Sequence, residues 1–211
     1  MRLEEFITDE GGSRRLIERT REYARHFFDR EGAHGFSHVE RVFNLCMHMG
    51  KEEGGADLEV LALAALLHDV ARPLESAGKV DDHAVEGGAR IARSYLKSLG
   101  YPEERIAAVA HAIEAHRFSR GPEPRTLEAK ILSDADKLDA IGAIGGVARV
   151  FMYSGEHGRD VEASLRHFEE KILRLKDLMY TETARRIAEG GRHAFTVAFI
   201  ERIRREMEGE I

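Results

Sequence analysis

The segment LEVLALAALLHDVAR, residues 58–72, is apolar on every side until it meets His68 and Asp69. An ordinary surface helix carries one apolar stripe, whereas a helix that is apolar all round has no solvent face and must lie inside a core. Other helices therefore have to surround this one. Its longest uninterrupted apolar run, Val60 to Leu67, is far short of the ~20 residues a bilayer-spanning helix needs, so no membrane partner is expected. The two ionisable residues at its end are a second constraint. A buried His or Asp persists only when it is paired, hydrogen-bonded or bound to a metal.

The remainder of the chain also reads as helices. Its apolar residues recur with helical rather than alternating period, and it has only four prolines. A first helix is predicted from Ser13 to Asp29, broken by Gly32 to Gly35. Ser37 and Glu40 have the spacing of a capping box and would start the next helix, which Gly54-Gly55 stops. Asp57 caps the central segment and Pro73 ends it. Asp81 or Asp82 opens a fourth helix that closes near Gly100, Pro102 begins a fifth, and Thr126 begins a sixth. A short helix over Gly142 to Met152 and two long amphipathic ones, 161–179 and 182–207, complete the expectation. Tyr153 to Arg159 is the one candidate surface insertion.

No linker or repeat splits the 211 residues. The expected fold is all-α, a compact helical bundle in one domain spanning 1–211, with core helices over about 20–150 and C-terminal helices over about 160–208. A composition of 43% hydrophobic and 33% charged residues excludes intrinsic disorder. The net charge of −6 argues against a nucleic-acid-coating surface. The acidic N-terminal stretch does not suit an export signal, and the single cysteine, Cys46, forms no internal disulfide; both fit a cytoplasmic protein. Cys46 lies in an apolar helical stripe and reads as a small core residue. Walker A and G-x-S-x-G sequences are absent.

His68 and Asp69 point about 100° apart on a helix, so a site between them must draw further groups from other elements. His38, in the first turn of the helix after the glycine-rich break, and Asp136, in SDADKLDA, are the candidates. Each of these residues alone reads most simply as structural. Together, two imidazoles and two carboxylates make a mixed nitrogen and oxygen set suited to Mn²⁺, Fe²⁺, Ni²⁺, Zn²⁺ or Mg²⁺.

The order His38, His68-Asp69, Asp136 resembles the H…HD…D pattern of the HD-domain phosphohydrolase superfamily. The segments GFSHVERV, LALAALLHDVARP, HAIEAHRFS, LEAKILSDADKLDAIGAIG and HFEEKILRL are similar to a branch of small bacterial and archaeal HD hydrolases, some of which act on nucleotides. The resemblance spans about residues 20–200. It implies a helical bundle of the HD type, in which His38, His68, Asp69 and Asp136 bind a divalent metal, one per chain. Two departures matter. The acid pair that often follows the HD dipeptide is absent, since the chain reads HDVARP. Two-metal members add histidines, for which His83, His111 and His116 are candidates, but the paired His-His-Glu run of the HD-GYP type is missing.

The implied activity is metal-dependent phosphohydrolysis of a nucleotide or other small phosphorylated metabolite by activated water. Asp69 or Asp136 would orient the water, His83 and His116 would contact phosphate, and Arg72 and Lys137 would neutralise its oxygens. Arg117 and Arg120 read equally as solvated loop charge, and Asp134 and Asp139 as secondary to Asp136. A two-metal phosphodiesterase, a diiron oxygenase and a non-catalytic regulatory module remain open, as does assembly into a homo-oligomer.

Overall fold

The computed structural model describes residues 12–28, 35–117 and 121–210, and all regular structure among them is helical. Asp29, residues 32–34 of the expected break, and Arg120 lie outside the described residues. The chain divides into two compact units, Met1–Ala135 and Asp136–Ile211.

In the first unit, α1 (Ser13–Arg25), α2 (Phe36–Glu53) and α6 (Glu103–His116) surround α3 (Leu58–Leu67). All eight residues from Val60 to Leu67 are buried, as an element with no polar face requires. Asp57 starts α3 as predicted, its carboxylate accepting from the backbone N–H groups of Glu59 and Val60 at 3.1 and 3.0 Å. The expected box on Ser37 does not form. The helix α2 begins two residues earlier, at Phe36, with Gly35 rather than Ser37 as its N-cap and no side-chain cap. Cys46 is buried in α2, as expected.

The central helix also stops earlier than its sequence suggests. Rather than running to Pro73, α3 ends at Leu67. A turn follows, closed by the Arg72 N–H donating to the Asp69 carbonyl at 2.9 Å. Pro73 lies in the first turn of the short helix α4 (Arg72–Ser76), where its missing N–H costs nothing. His68 and Asp69 thereby leave the helical ladder.

The carboxylate of Asp82 then caps a π-helical turn, His83–Gly88, accepting from Ala84 and Val85 N–H at 2.8 and 2.9 Å. This turn runs into α5 (Ala89–Ser98) and packs on α4, α5 and α6. Two glycines let it lie close to the HD turn. A Cβ on Gly87 would sit 2.4 Å from the Ala71 Cβ, and one on Gly88 would sit 2.8 Å from the His83 carbonyl oxygen and 3.2 Å from that of His68. The unit ends within α7 (Leu127–Asp139), which starts next to the expected Thr126, with Thr126 Oγ1 accepting from Ala129 N–H.

The second unit holds the end of α7, a π-helical turn over Ala143–Ala148, α8 (Arg149–Glu156) and α9 (Val161–Glu170). A 3₁₀ stretch over Ile172–Leu178, α10 (Glu182–Ile187), a second π-helical turn over Ala188–Arg192 and α11 (His193–Met207) complete it. Each of the two long helices expected here is interrupted. Gly191, at φ +154°, takes a conformation closed to residues with a Cβ and kinks the second. Of the expected surface insertion, Tyr153 to Glu156 belong to α8. No helix among the described residues is long and apolar enough to cross a membrane.

Candidate metal centre

Four histidines and one aspartate converge in the first unit, each delivered by a helix terminus. His38 is in the first turn of α2, His68 follows the last residue of α3, His83 opens the π-helical turn and His116 closes α6. All four, with Asp69, are buried.

The helix ends explain more than position. The last carbonyls of a helix have no partner within it. His68 Nδ1 lies 2.7 Å from the Ala65 carbonyl oxygen, and His116 Nδ1 lies 2.6 Å from that of Ile113. A carbonyl only accepts, so both rings donate from Nδ1, which in the neutral ring leaves Nε2 unprotonated. This is the tautomer in which histidine ligates a metal through Nε2.

Those nitrogens gather around the Asp69 carboxylate. Oδ2 lies 3.7 Å from His38 Nε2 and 3.9 Å from His68 Nε2, and the two nitrogens are 3.4 Å apart. Oδ1 lies 3.2 Å from His83 Nε2 and 4.0 Å from His116 Nε2. His68, Asp69 and His116 each offer a ligand atom, all within 4.8 Å of one another. Buried imidazole lone pairs and a carboxylate facing one another repel unless a proton or a cation lies between them. Donors bound tetrahedrally to one ion at about 2.0–2.2 Å lie roughly 3.3–3.6 Å apart, so spacings of 3.4, 3.7 and 3.9 Å need only a small contraction to seat one. The donor set fits a divalent metal.

A ring of charge stands behind His83. Glu75 Oε2 and Arg72 Nη1 each lie 2.9 Å from His83 Nδ1 and 2.9 Å from each other. Arg117 Nη1 donates to Glu75 Oε1 and to Asp82 Oδ2, both at 2.8 Å. Burial alone would raise the Glu75 carboxyl's pKa, but His83, Arg72 and Arg117 overcome it and hold the group below its ordinary value. Asp82 is also held low: burial opposes ionisation, while the Val85 and Ala84 N–H groups and Arg117 outweigh it.

Of the residues singled out from sequence, His38, His68, Asp69, His83 and His116 come together. Arg72 joins them through His83, and Arg117 through Glu75. His111 faces elsewhere, its Nε2 accepting from the Arg125 backbone N–H at 3.1 Å. Asp136 is the next residue of α7 after the first unit ends. Lys137 is buried in the second unit, its Nζ 4.5 Å from the centroid of the Tyr180 ring, and Asp139 pairs with Arg149 at 2.9 Å. Sequence reasoning missed Glu75 altogether and saw Asp82 only as a cap. The one signal for Glu75 is its i+3 spacing from Arg72.

Helices bringing histidines and an aspartate to one buried point define a helical metal-site domain, and comparison with known proteins identifies which. The HD domain family profile matches residues 35–141. The Bacillus subtilis protein YpgQ is 37% identical over 189 residues, covering 86% of this chain and 88% of YpgQ. The crystal structure of YpgQ in complex with ADP matches with a TM-score of 0.75 and 32% identity, over 92% of this chain and 98% of that one. An HD-superfamily hydrolase from Bacillus thuringiensis matches with a TM-score of 0.72 and 34% identity, over 93% and 98%. The chain belongs to the HD domain family.

Proposed function

We propose that this protein is a metal-dependent phosphohydrolase acting on a nucleotide. The observation that carries the reading is the buried Asp69 carboxylate, with His38 and His68 facing one oxygen and His83 and His116 facing the other. His38, His68 and Asp69 would hold the metal. The family pattern implies Asp136 as a fourth ligand. The ADP complex of YpgQ supports a nucleotide as ligand.

A divalent cation held by these residues would supply Lewis acidity toward water and phosphate oxygens. Asp69 accepts a hydrogen bond from the attacking water and fixes its direction. His116 and His83 would face the substrate and accept through Nε2 from a hydroxyl or protonated phosphate oxygen, with Arg72 and Lys137 adding positive charge as the phosphorus–oxygen bond breaks. The leaving oxygen takes up a proton, and no covalent bond to the protein forms.

A second reading has an observation of its own. Asp69 Oδ1 with His83 and His116 is a second donor group, so a two-metal phosphodiesterase would use the same residues with Asp69 between the ions. Measuring phosphate and pyrophosphate release across nucleotides with Mn²⁺, Ni²⁺, Mg²⁺, Fe²⁺ and Zn²⁺ tests the proposal. Release should require added metal, cease with chelator, and be absent in Asp69→Asn. Metal binding without release from any nucleotide would refute it.

A further inference from the structure

His83 stands apart from the other two rings whose Nδ1 partners are defined. Behind His68 and His116 stands a carbonyl, which can only accept. Behind His83 stand a carboxylate and a guanidinium, each 2.9 Å from the same nitrogen. They demand opposite things. Glu75 only accepts, so facing it His83 Nδ1 carries a proton, which in the neutral ring leaves Nε2 unprotonated. Arg72 only donates, so facing it Nδ1 is unprotonated and Nε2 carries the proton, directed at Asp69 Oδ1 3.2 Å away. A neutral ring satisfies one neighbour, and the choice decides whether His83 offers the centre a lone pair or a proton.

Three features favour Glu75. Arg72 Nη1 lies 2.9 Å from Glu75 Oε2 as well, so a charge-assisted bond to the carboxylate competes for the same donor. Arg117 fixes Glu75 from the opposite side through Oε1, which keeps Oε2 aimed at the ring. Arg117 is itself anchored by Asp82, the cap of the turn that carries His83, so carboxylate and ring are held in one frame.

We propose that Glu75 is a positioning residue that overrides Arg72 and fixes His83 as the Nδ1-protonated tautomer, presenting an unprotonated Nε2 to Asp69. This rests on reading the cluster as a metal centre. It assigns Glu75 the part that carbonyls play behind His68 and His116, and gives the site a third ring prepared to accept rather than donate. Whether that lone pair meets a metal or a hydrogen-bond donor on the substrate, the Nε2-protonated ring could serve neither.

The test is the tautomer itself, read by long-range ¹H–¹⁵N correlation of the histidine rings in metal-free protein at pH 8.5, with His83 assigned by comparison with His83→Gln. The wild-type ring should be protonated at Nδ1 alone. Glu75→Ala leaves only Arg72 facing Nδ1 and should move the proton to Nε2, whereas Arg72→Met should leave the ring as in wild type. Titration with Mn²⁺, followed by its EPR signal, should show Glu75→Ala weakened by about 10–100-fold, the range typical of residues that orient metal-binding histidines. Glu75→Gln, whose carbonyl oxygen still accepts, should recover most of that loss. A wild-type ring protonated at Nε2, or a flip in Arg72→Met, overturns the proposal even if Glu75→Ala fails to fold. The expected tautomers without nucleotide hydrolysis would leave Glu75 in its role and refute the hydrolase reading instead.

Discussion

At the scale of single residues, the centre depends on which nitrogen of each ring carries its proton. His68 and His116 take their tautomers from orphan carbonyls at helix ends, a feature of backbone geometry that any sequence ending a helix on histidine can reach. Replacing His68 or Asp69 by alanine should abolish stoichiometric metal, measured by elemental analysis, while the far-ultraviolet circular dichroism remains helical. Retention of a full equivalent in either variant would show that the ligands lie elsewhere. His68 and Asp69 were visible in the sequence because ionisable groups ending an apolar helix stand out, His38 as a candidate partner for them, and His83 and His116 through the family resemblance. Glu75 was not, because one of its partners is 42 residues away and a short exposed-looking helix gave no reason to pair them.

The residue with the clearest titration consequence lies outside the centre. Burial, then the charges of Lys171 and Arg159, push the His167 imidazole below its ordinary value of about 6.5. The unfolded chain therefore binds more protons than the folded one. His167 contributes stability that is full above about pH 6.5 and lost as the pH falls through its lower folded value. His167→Asn should flatten the dependence of Tm on pH between about 7 and 5. An unchanged slope would show that His167 is no more shielded than in the unfolded chain.

At the scale of elements, the decisive event is the early end of α3. The apolar pattern made its existence and central place plain, but not its stop. Nothing in HDVAR breaks a helix locally, and the stop becomes intelligible only with the π-helical turn lying against it. That approach depends on the absence of side chains at Gly87 and Gly88. Gly88→Ala would press its methyl against the carbonyls of His83 and His68, and metal affinity should fall even in protein that remains helical. A variant that keeps wild-type affinity in an isothermal titration would show that the turn can shift without loss. The long C-terminal helices were overestimated for a similar reason, since amphipathic period continues through residues that adopt 3₁₀ and π turns. In the interior, Leu63→Ala should cost about 2–5 kcal/mol in denaturant unfolding, because its neighbours on α3 are buried throughout. A loss under about 1 kcal/mol would imply that the core collapses around the gap.

At the scale of the whole molecule, all-α architecture and the HD pattern were legible along nearly the full chain, and family membership follows from the match over residues 35–141. The division after Ala135 falls inside α7, where no glycine or proline marks it. Folding and binding are linked here through the centre. A metal that binds only the folded state adds about 2.7 kcal/mol at a hundred times its Kd, so added Mn²⁺ should raise Tm and chelator should reverse the shift. The central claim, that these residues form a metal centre, is tested most directly by anomalous diffraction at the manganese edge from crystals grown with Mn²⁺. The account predicts a peak within bonding distance of His38, His68 and Asp69, and a further peak at Asp69 Oδ1, His83 and His116 would select the two-metal reading. No peak among these residues, or one bound elsewhere in the chain, would contradict it.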